Sequence, residues 1–343
     1  MSSNAAPTVT GLHHVTAIAG DPQRNLEFYT GTLGMRLVKR SVNQDAPDTY
    51  HLFYADGEGH AGSDITFFPW PALPPGKRGA GLTNEVALAI PAGSLGWWSE
   101  RLRSAGVRTE EPTTWFGEPA LPFTDPDGLG LALVETGDAR EFTPWAESPV
   151  DASRQIRGLH AVRLAQRDLA STARFLVDGL GFTAAGEDKG WHRFTVEGGG
   201  SGRMLDIQVL PDEQRGEWGT GSVHHIAWRV PDGAAQRAVR ASVGSAGGRP
   251  TEVIDRFWFQ SVYFREPGGA LFEVATDGPG FTVDESPEAL GERLILPPWL
   301  EPRRAEIERG LPRLTSRSSL PAPACRSSSG TSPAPPPHAG WTA

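Results

Sequence analysis

The chain has 343 residues and a formal net charge of −9. This length exceeds what one compact core usually holds, so two domains are expected. The negative charge argues against a nucleic-acid partner, because phosphate binding requires a basic face. The single cysteine, Cys325, lies in a tail rich in Ser and Pro, which argues against disulfides or thiolate ligands in the folded part. No apolar run reaches the ~18 residues of a membrane span and no secretory signal is recognisable, so a cytoplasmic location is expected.

Along the chain, one pattern occurs four times. A short apolar strand comes first, a helix-start signal and an amphipathic stretch follow, and three strand-like runs complete the unit. In the first unit Asp21 and Pro22 supply an N-cap and a proline at the first helical position. The four opening strands are GLHHVTAI from Gly11, TNEVALAI from Thr83, RGLHAVRLA from Arg157 and SVHHIAWRV from Ser222.

The repeat predicts an α+β fold made of four βαβββ modules. One unit exposes a sheet face that it cannot bury alone, so the units must pair, and two pairs give two domains. We expect consecutive units to pair. The predicted organisation is an N-terminal domain over 8–136, a linker over 137–156, a C-terminal domain over 157–285, an extension over 286–311 and a disordered tail over 312–343.

Several of these segments resemble one known superfamily, the vicinal oxygen chelate proteins, which include glyoxalase I, bleomycin-resistance proteins and extradiol dioxygenases. The segments are GLHHVTAI, GMRLVKRSVNQD, TYHLFYAD, SVHHIAW and DRFWFQSVYFREPGGALFEVATDGPGF. They are most similar to the hydroquinone-type ring-cleaving dioxygenases, and the resemblance covers about Val9 to Glu285. It implies that paired βαβββ units form curled mixed sheets, each a cup, with a metal inside.

Strand alternation selects metal ligands from the two His-His pairs. Neighbouring strand residues face opposite sides of a sheet. His224 shares its face with Ile226, Trp228 and Val230, a bulky apolar set that suits a helix-covered face, whereas His225 shares the other face with smaller and more polar residues. The second member of each pair, His14 and His225, is therefore the predicted ligand.

Glu273 is the predicted third ligand. It interrupts the apolar run ALFEVA, and a buried carboxylate there requires a positive partner. Unit three is an internal control, because it has His160 at the level of His13 but Ala161 at the level of His14. Two imidazoles and one carboxylate leave coordination positions for substrate and O₂, as in non-haem iron(II) sites. Fe(II) is therefore the expected cofactor, with Mn(II) as the alternative.

The resemblance also implies residues around the metal: His13, Thr16, His224, Arg256 and Tyr263. Strict alternation turns His13 and His224 away from the cup, whereas the resemblance puts them beside the metal, and the sequence leaves this open. The alternatives for Arg256 and Tyr263 are a surface charge and a core aromatic. Pairing through the turn at Glu266 would place Tyr263 beside the strand of Glu273.

Three functions compete at this point. The first is a ring-cleaving dioxygenase of aromatic-compound catabolism that acts on a hydroquinone- or catechol-like ring with O₂. The resemblance implies that His224 or Tyr263 moves protons during this reaction, and a histidine in that role is expected to titrate near the operating pH. The second is a glyoxalase-type isomerase or thiol-transfer enzyme, and the third a metal-free binding protein. No nucleic-acid or membrane partner is expected, and a homo-oligomer is compatible with the sequence. His51 is expected to be an ordinary strand residue.

Overall fold

The computed structural model describes residues 8–315. Within this range each of the four predicted units is present, and the α+β fold of βαβββ modules is confirmed. Cys325 and nearly all of the predicted disordered tail, from residue 316 onward, lie outside the described residues. None of the helices among residues 8–315 is long and apolar enough to cross a membrane.

The units follow one another in chain order. The first contains β1 (Gly11–Ala19), α1 (Pro22–Glu27) with a π-helical turn (Phe28–Thr32), β2 (Arg36–Asn43), β3 (Ala46–Ala55) and β4 (Asp64–Pro69). The second contains β5 (Leu82–Pro91), α2 (Leu95–Ser104), β6 (Thr113–Trp115), β7 (Glu118–Thr124) and β8 (Gly130–Thr136).

The third unit contains β9 (Gly158–Gln166), α3 (Leu169–Leu180), β10 (Thr183–Asp188), β11 (Trp191–Thr195) and β12 (Met204–Val209). The fourth contains β13 (Val223–Val230), α4 (Gly233–Ser245), β14 (Ile254–Asp255), β15 (Gln260–Arg265) and β16 (Leu271–Thr276). After it come three short 3₁₀ turns (Phe281–Val283, Pro287–Ala289 and Glu301–Arg303) and α5 (Arg304–Gly310).

Helix caps explain where three of the helices begin. The side chains of Asp21, Asp168 and Asp232 accept hydrogen bonds from the backbone N–H groups of the first turns of α1, α3 and α4. Such caps satisfy donors that have no partner inside the helix. Helix α3 ends at Gly181, whose φ of 78° is a left-handed conformation that favours glycine.

The units pair differently from the order expected above. One eight-stranded mixed sheet has the order β14-β15-β16-β13-β1-β4-β3-β2, and the other has the order β10-β11-β12-β9-β5-β8-β7-β6. The first unit thus shares a sheet with the fourth, and the second with the third, so neither sheet is confined to 8–136 or 157–285. All four units present equivalent edge strands, so strand pattern alone does not specify the partner.

The pairing brings the two His-His motifs together. Strands β1 and β13 are antiparallel neighbours, with Thr16 opposite His225 and His14 opposite Ala227. Strand β16 runs parallel to β13 on its other side, with Glu273 opposite Ala227. Residues from both ends of the chain therefore meet in the middle of one sheet.

The two faces of β13 differ as alternation predicts. Ile226, Trp228 and Val230 are buried in the main hydrophobic core. Ala227 belongs to a smaller apolar cluster inside the curl of the first sheet, together with Phe53 and Trp258. The small, concave face is the one that carries His225.

Two β-bulges interrupt this alternation at functional positions. The register of β1 with β13 steps from Leu12 directly to His14, and from His225 directly to Val223. His13 and His224 are therefore the extra residues, and a bulge turns a side chain away from the direction that strict alternation gives it. This explains why alternation alone could not place these two histidines.

The segment after β16 packs back on the first sheet. Leu290 belongs to the apolar cluster inside the curl, while Leu296, Leu300 and Ile307 pack against Val42 of β2. The Tyr50 hydroxyl donates to the Pro312 carbonyl at 2.9 Å. The Thr315 N–H also donates to Gln23 Oε1 at 2.9 Å, so Pro312 and Thr315, which the predicted tail includes, still contact the first unit.

Candidate metal centre and its pocket

Three donor atoms converge where β1, β13 and β16 lie side by side. The Nε2 atoms of His14 and His225 are 3.3 Å apart, and Glu273 Oε2 lies 3.4 Å from the first and 2.9 Å from the second. Ligands held about 2.0–2.2 Å from one first-row divalent ion are separated by roughly 3.0–3.4 Å. The spacing of the three atoms therefore fits coordination of a single metal ion.

The burial and charge of Glu273 fit the same ion. Its side chain is fully buried, Oε1 accepts a hydrogen bond from Ser261 Oγ at 2.5 Å, and Oε2 has no hydrogen-bond partner within residues 8–315. Burial raises the pKa of this carboxyl, but His14 and His225 outweigh that effect and hold the pKa well below its usual range. A metal ion held between Oε2 and the two imidazole nitrogens would offset the desolvation of this ionised oxygen.

The ligand histidines are oriented by their neighbours. His14 Nδ1 lies 2.8 Å from His13 Nδ1, and His13 Nε2 lies 3.2 Å from the Thr276 carbonyl oxygen. If His14 binds metal through Nε2, its Nδ1–H donates to His13, and His13 then donates to Thr276. Burial, with the neighbouring His14, lowers the pKa of His13 to about 3, so this ring is neutral and able to accept.

His224 supports His225 in the same way but also faces the pocket. Their Nδ1 atoms are 2.8 Å apart, whereas His224 Nε2 has no partner among the described residues. The ring stacks on Trp218, with the centroids 4.7 Å apart. Burial, with the neighbouring His225, lowers the pKa of His224 to about 3. This differs from the expectation of a group that titrates near neutral pH, because the ring is desolvated.

Tyr263 and Arg256, both in the fourth unit, also lie near the three donors. Tyr263 is paired with Glu273 across β15 and β16, which confirms the predicted pairing, and its ring centroid is 5.7 Å from that of His225. Arg256 lies over the Tyr263 ring at 5.4 Å and binds the Asp45 carboxylate at 2.9 and 3.2 Å. Arg256 is thus neither an isolated surface charge nor paired with Asp255.

These residues line a cavity of about 430 Å³ that contains His14 and His225. Most of its apolar lining is aromatic and consists of Phe53, Phe68, Trp70, Trp258 and Phe259. His224, Tyr263 and Arg256 also line it, whereas His13 and Thr16 are buried beside it. A flat, mostly apolar ring with a few polar substituents suits such a space.

The second sheet has the same arrangement of strands as the first but differs at the positions of the metal-binding donors. Ala87 is opposite both Ala161 and Ala132, just as Ala227 is opposite both His14 and Glu273. Two of the three donor positions are thus alanines. Ala161, at the level of His14, has no side-chain donor atom to offer a metal.

A network of charged side chains fills the second curl instead. Arg163 lies between Trp115 and Trp191, 3.7 and 3.5 Å from their ring centroids, and binds Glu85 at 2.8 Å. Arg193 binds both oxygens of Asp206, at 2.8 and 3.0 Å. Glu85 and Asp206 are thus each paired with an arginine, which offsets the cost of burying their charge without a metal ion.

Together the two curled sheets of βαβββ units and the buried His-His-Glu cluster define a family. The sequence profile of the Glyoxalase/Bleomycin resistance protein/Dioxygenase superfamily matches residues 11–133 and 158–274. The chain belongs to this superfamily, which confirms the resemblance noted in the sequence.

Two relatives match along nearly their whole length. MhqO of Bacillus subtilis, provisionally named a ring-cleaving dioxygenase, is 40% identical over 306 residues, which cover 89% of this chain and 97% of that protein. The chlorohydroquinone/hydroquinone 1,2-dioxygenase of Sphingobium indicum is 36% identical over 309 residues, covering 88% and 95%.

Solved structures agree with these matches. The crystal structure of a Bacillus subtilis protein, also provisionally named a dioxygenase, has a TM-score of 0.86 and 39% identity, and covers 90% of this chain and 99% of that one. Maize glyoxalase I, at 17% identity and a TM-score of 0.59, shares the fold over 78% of this chain.

Among the pocket residues that the sequence reasoning missed are Asp45 and His51. Asp45 lies in the β2–β3 turn and reaches Arg256 across 211 positions of sequence, a contact without a local signal. His51 lines the cavity but has no partner in the repeat. Alternation along β3 could have placed His51 and Phe53 on one face.

Proposed function

We propose that this protein is a metal-dependent ring-cleaving dioxygenase that acts on a hydroquinone-like aromatic. The observation that supports this most is the convergence of the buried Glu273 Oε2 with two imidazole nitrogens, 2.9–3.4 Å away, beside an aromatic cavity that His14 and His225 line. The names of the two relatives indicate the reaction type and the substrate class.

Fe(II) is the proposed metal, held by His14, His225 and Glu273. Two histidines and one carboxylate leave coordination positions free, and iron bound there would supply the means to combine O₂ with an electron-rich ring. The ligand set is also compatible with Mn(II). Glyoxalase-type isomerases usually use four protein ligands, whereas three His or acidic donors converge here within the described range.

The surrounding side chains then have separable roles. The aromatic walls bind the ring and exclude water, which strengthens polar interactions inside the cavity. His224 Nε2 faces the cavity and can hydrogen-bond the substrate. The Tyr263 phenol is uncharged, because burial and the charge of Glu273 raise its pKa, so it can donate to an oxygen that gains negative charge. Arg256 holds Tyr263 and adds positive charge on the same side.

O₂ consumption separates this proposal from the other two functions. Protein purified and loaded with Fe(II) without air is mixed with hydroquinone in an oxygen-electrode cell. We expect O₂ uptake in proportion to the hydroquinone consumed, because the reaction inserts O₂ into the ring. His225→Ala should abolish uptake, and His160→Ala, in the second sheet, should not. Fully iron-loaded protein that consumes no O₂ with hydroquinone or a substituted hydroquinone would refute the proposal.

A further inference from the structure

His51 has an environment unlike that of an ordinary strand residue. Its Nε2 lies 2.9 Å from Thr66 Oγ1, and Thr66 Oγ1 lies 2.8 Å from Thr16 Oγ1. Both threonines are fully buried. The ring is packed against Phe53 and Phe68, with centroid distances of 3.8 and 4.4 Å. The imidazole is therefore fixed in orientation by two aromatic rings and one hydrogen bond.

The other ring nitrogen of His51 is available to a ligand. His51 lines the same cavity as His14 and His225, is partly exposed there, and its Nδ1 has no partner among residues 8–315. Nearby polar residues of the β2–β3 turn are already engaged. Gln44 donates to the Arg256 carbonyl, and Asp45 binds the Arg256 side chain.

The strand order places His51 on the opposite side of β1 from the substrate-binding groups already described. His224 lies on β13 and Tyr263 on β15, on one side of β1, whereas His51 lies on β3, two strands from β1 on the other side. A ring that meets the metal centre with one oxygen near His224 and Tyr263 would extend across the cavity toward β3. The two oxygens of a 1,4-dihydroxybenzene are at opposite ends of the ring.

We propose that His51 binds the ring hydroxyl that is remote from the metal centre, and so selects 1,4-dihydroxy aromatics over simple phenols. This inference rests on the proposed function, because it presumes an aromatic substrate. The remote hydroxyl donates to His51 Nδ1, His51 Nε2–H donates to Thr66 Oγ1, and the Thr66 hydroxyl donates to Thr16 Oγ1. The remote hydroxyl, His51 and Thr66 each donate once in this direction and Thr16 accepts the last hydrogen bond, so the protons of these three bonds are placed consistently.

The test compares two ligands that differ by this one hydroxyl. Dissociation constants for hydroquinone and for phenol are measured by calorimetry on Fe(II)-loaded protein without O₂. For His51→Leu, we expect hydroquinone to bind about 5- to 100-fold more weakly, because its hydroxyl loses a buried acceptor. Phenol binding should change less than about 2-fold, since no phenol atom reaches His51.

Two further variants exclude a merely structural effect. His51→Asn keeps a polar atom near the position of Nδ1 and should restore part of the preference for hydroquinone. His192→Leu makes the same kind of change at a histidine of the second sheet outside the cavity, and both affinities should stay at the wild-type values. Partial rescue by Asn, with no effect at His192, assigns the preference to the polar atom in the cavity.

The inference is overturned if His51→Leu weakens both ligands equally, or if the wild-type protein binds hydroquinone no more tightly than phenol. A different result would contradict the proposed function. Protein that prefers hydroquinone through His51 yet consumes no O₂ would contradict the dioxygenase assignment and leave the binding role of His51 intact.

Discussion

Lys39 offers a quantitative test of how the segment after β16 is held to the pocket. Its side chain is fully buried, and the ammonium binds Asp284 Oδ1 at 2.6 Å, the fully buried Glu285 carboxylate, and the Phe281 carbonyl at 3.1 Å. It also lies 5.4 Å from the centroid of Trp258, which lines the pocket. One cation thus joins β2, the chain after β16 and a pocket wall.

Lys39→Met removes this charge while keeping most of the apolar stem. The Glu285 carboxylate then remains buried without a counter-charge, a change that typically costs about 3–5 kcal/mol. We expect the free energy of unfolding, measured by urea titration with tryptophan fluorescence, to fall by that amount. The Michaelis constant for the aromatic substrate should rise, because Asp284 also accepts a hydrogen bond from Trp258 Nε1 at 3.0 Å.

Lys77 provides the matched control. Its pair with Glu217 is solvent-exposed, with 70% and 64% of the two side chains accessible, so Lys77→Met should cost less than about 1 kcal/mol. Adding Glu285→Gln to Lys39→Met should recover part of the loss, since no unpaired charge is then buried. Equal losses for the two lysine variants, or no recovery in the double variant, would refute the reasoning.

The remaining predictions concern catalysis and the end of the chain. Tyr263→Phe should keep metal content and fold but lower turnover by about 10- to 1,000-fold, and wild-type kinetics from the metal-loaded variant would assign Tyr263 to packing. Arg256→Ala should keep the metal and chiefly weaken substrate binding or turnover, so loss of metal content in that variant would contradict its placement. Truncation after Thr315 should leave the melting temperature nearly unchanged, because the removed sequence has little apolar surface. Truncation after Gly310 also removes Leu311 and Leu314, which pack against the core, and should destabilise by about 1–3 kcal/mol. Equal melting temperatures for the two truncations would show that residues 311–315 contribute nothing.

The sequence-based predictions that agree with the structure came from local sequence patterns. The Asp21-Pro22 signal located the start of α1, and alternation along β13 separated Trp228 in the core from His225 in the curl. Both signals depend only on residues within one turn or one strand. The repeat allowed equivalent positions in the four units to be compared, and this comparison showed Ala161 at the level of His14.

Long-range relationships could not be obtained in this way. The pairing of β1 with β13 joins strands more than 200 positions apart, and the contact of Asp45 with Arg256 depends on that pairing. The bulges at His13 and His224 are a property of the paired strands, so neither strand alone reveals them. His14 lies in the first unit, whereas His225 and Glu273 lie in the fourth. Choosing these residues as ligands of one metal therefore already implied that the first and fourth units pair.

The central claim, that three side chains hold one metal ion, is tested most directly by metal analysis. Wild-type protein and the variants His14→Ala, His225→Ala, Glu273→Ala and His160→Ala are purified without air, and bound metal per chain is measured by mass spectrometry. We predict about one Fe(II) per chain in the wild type and in His160→Ala, and loss of stoichiometric metal in the other three, each of which should remain folded by circular dichroism. Full metal content in folded His225→Ala or Glu273→Ala protein would contradict the assignment of the site.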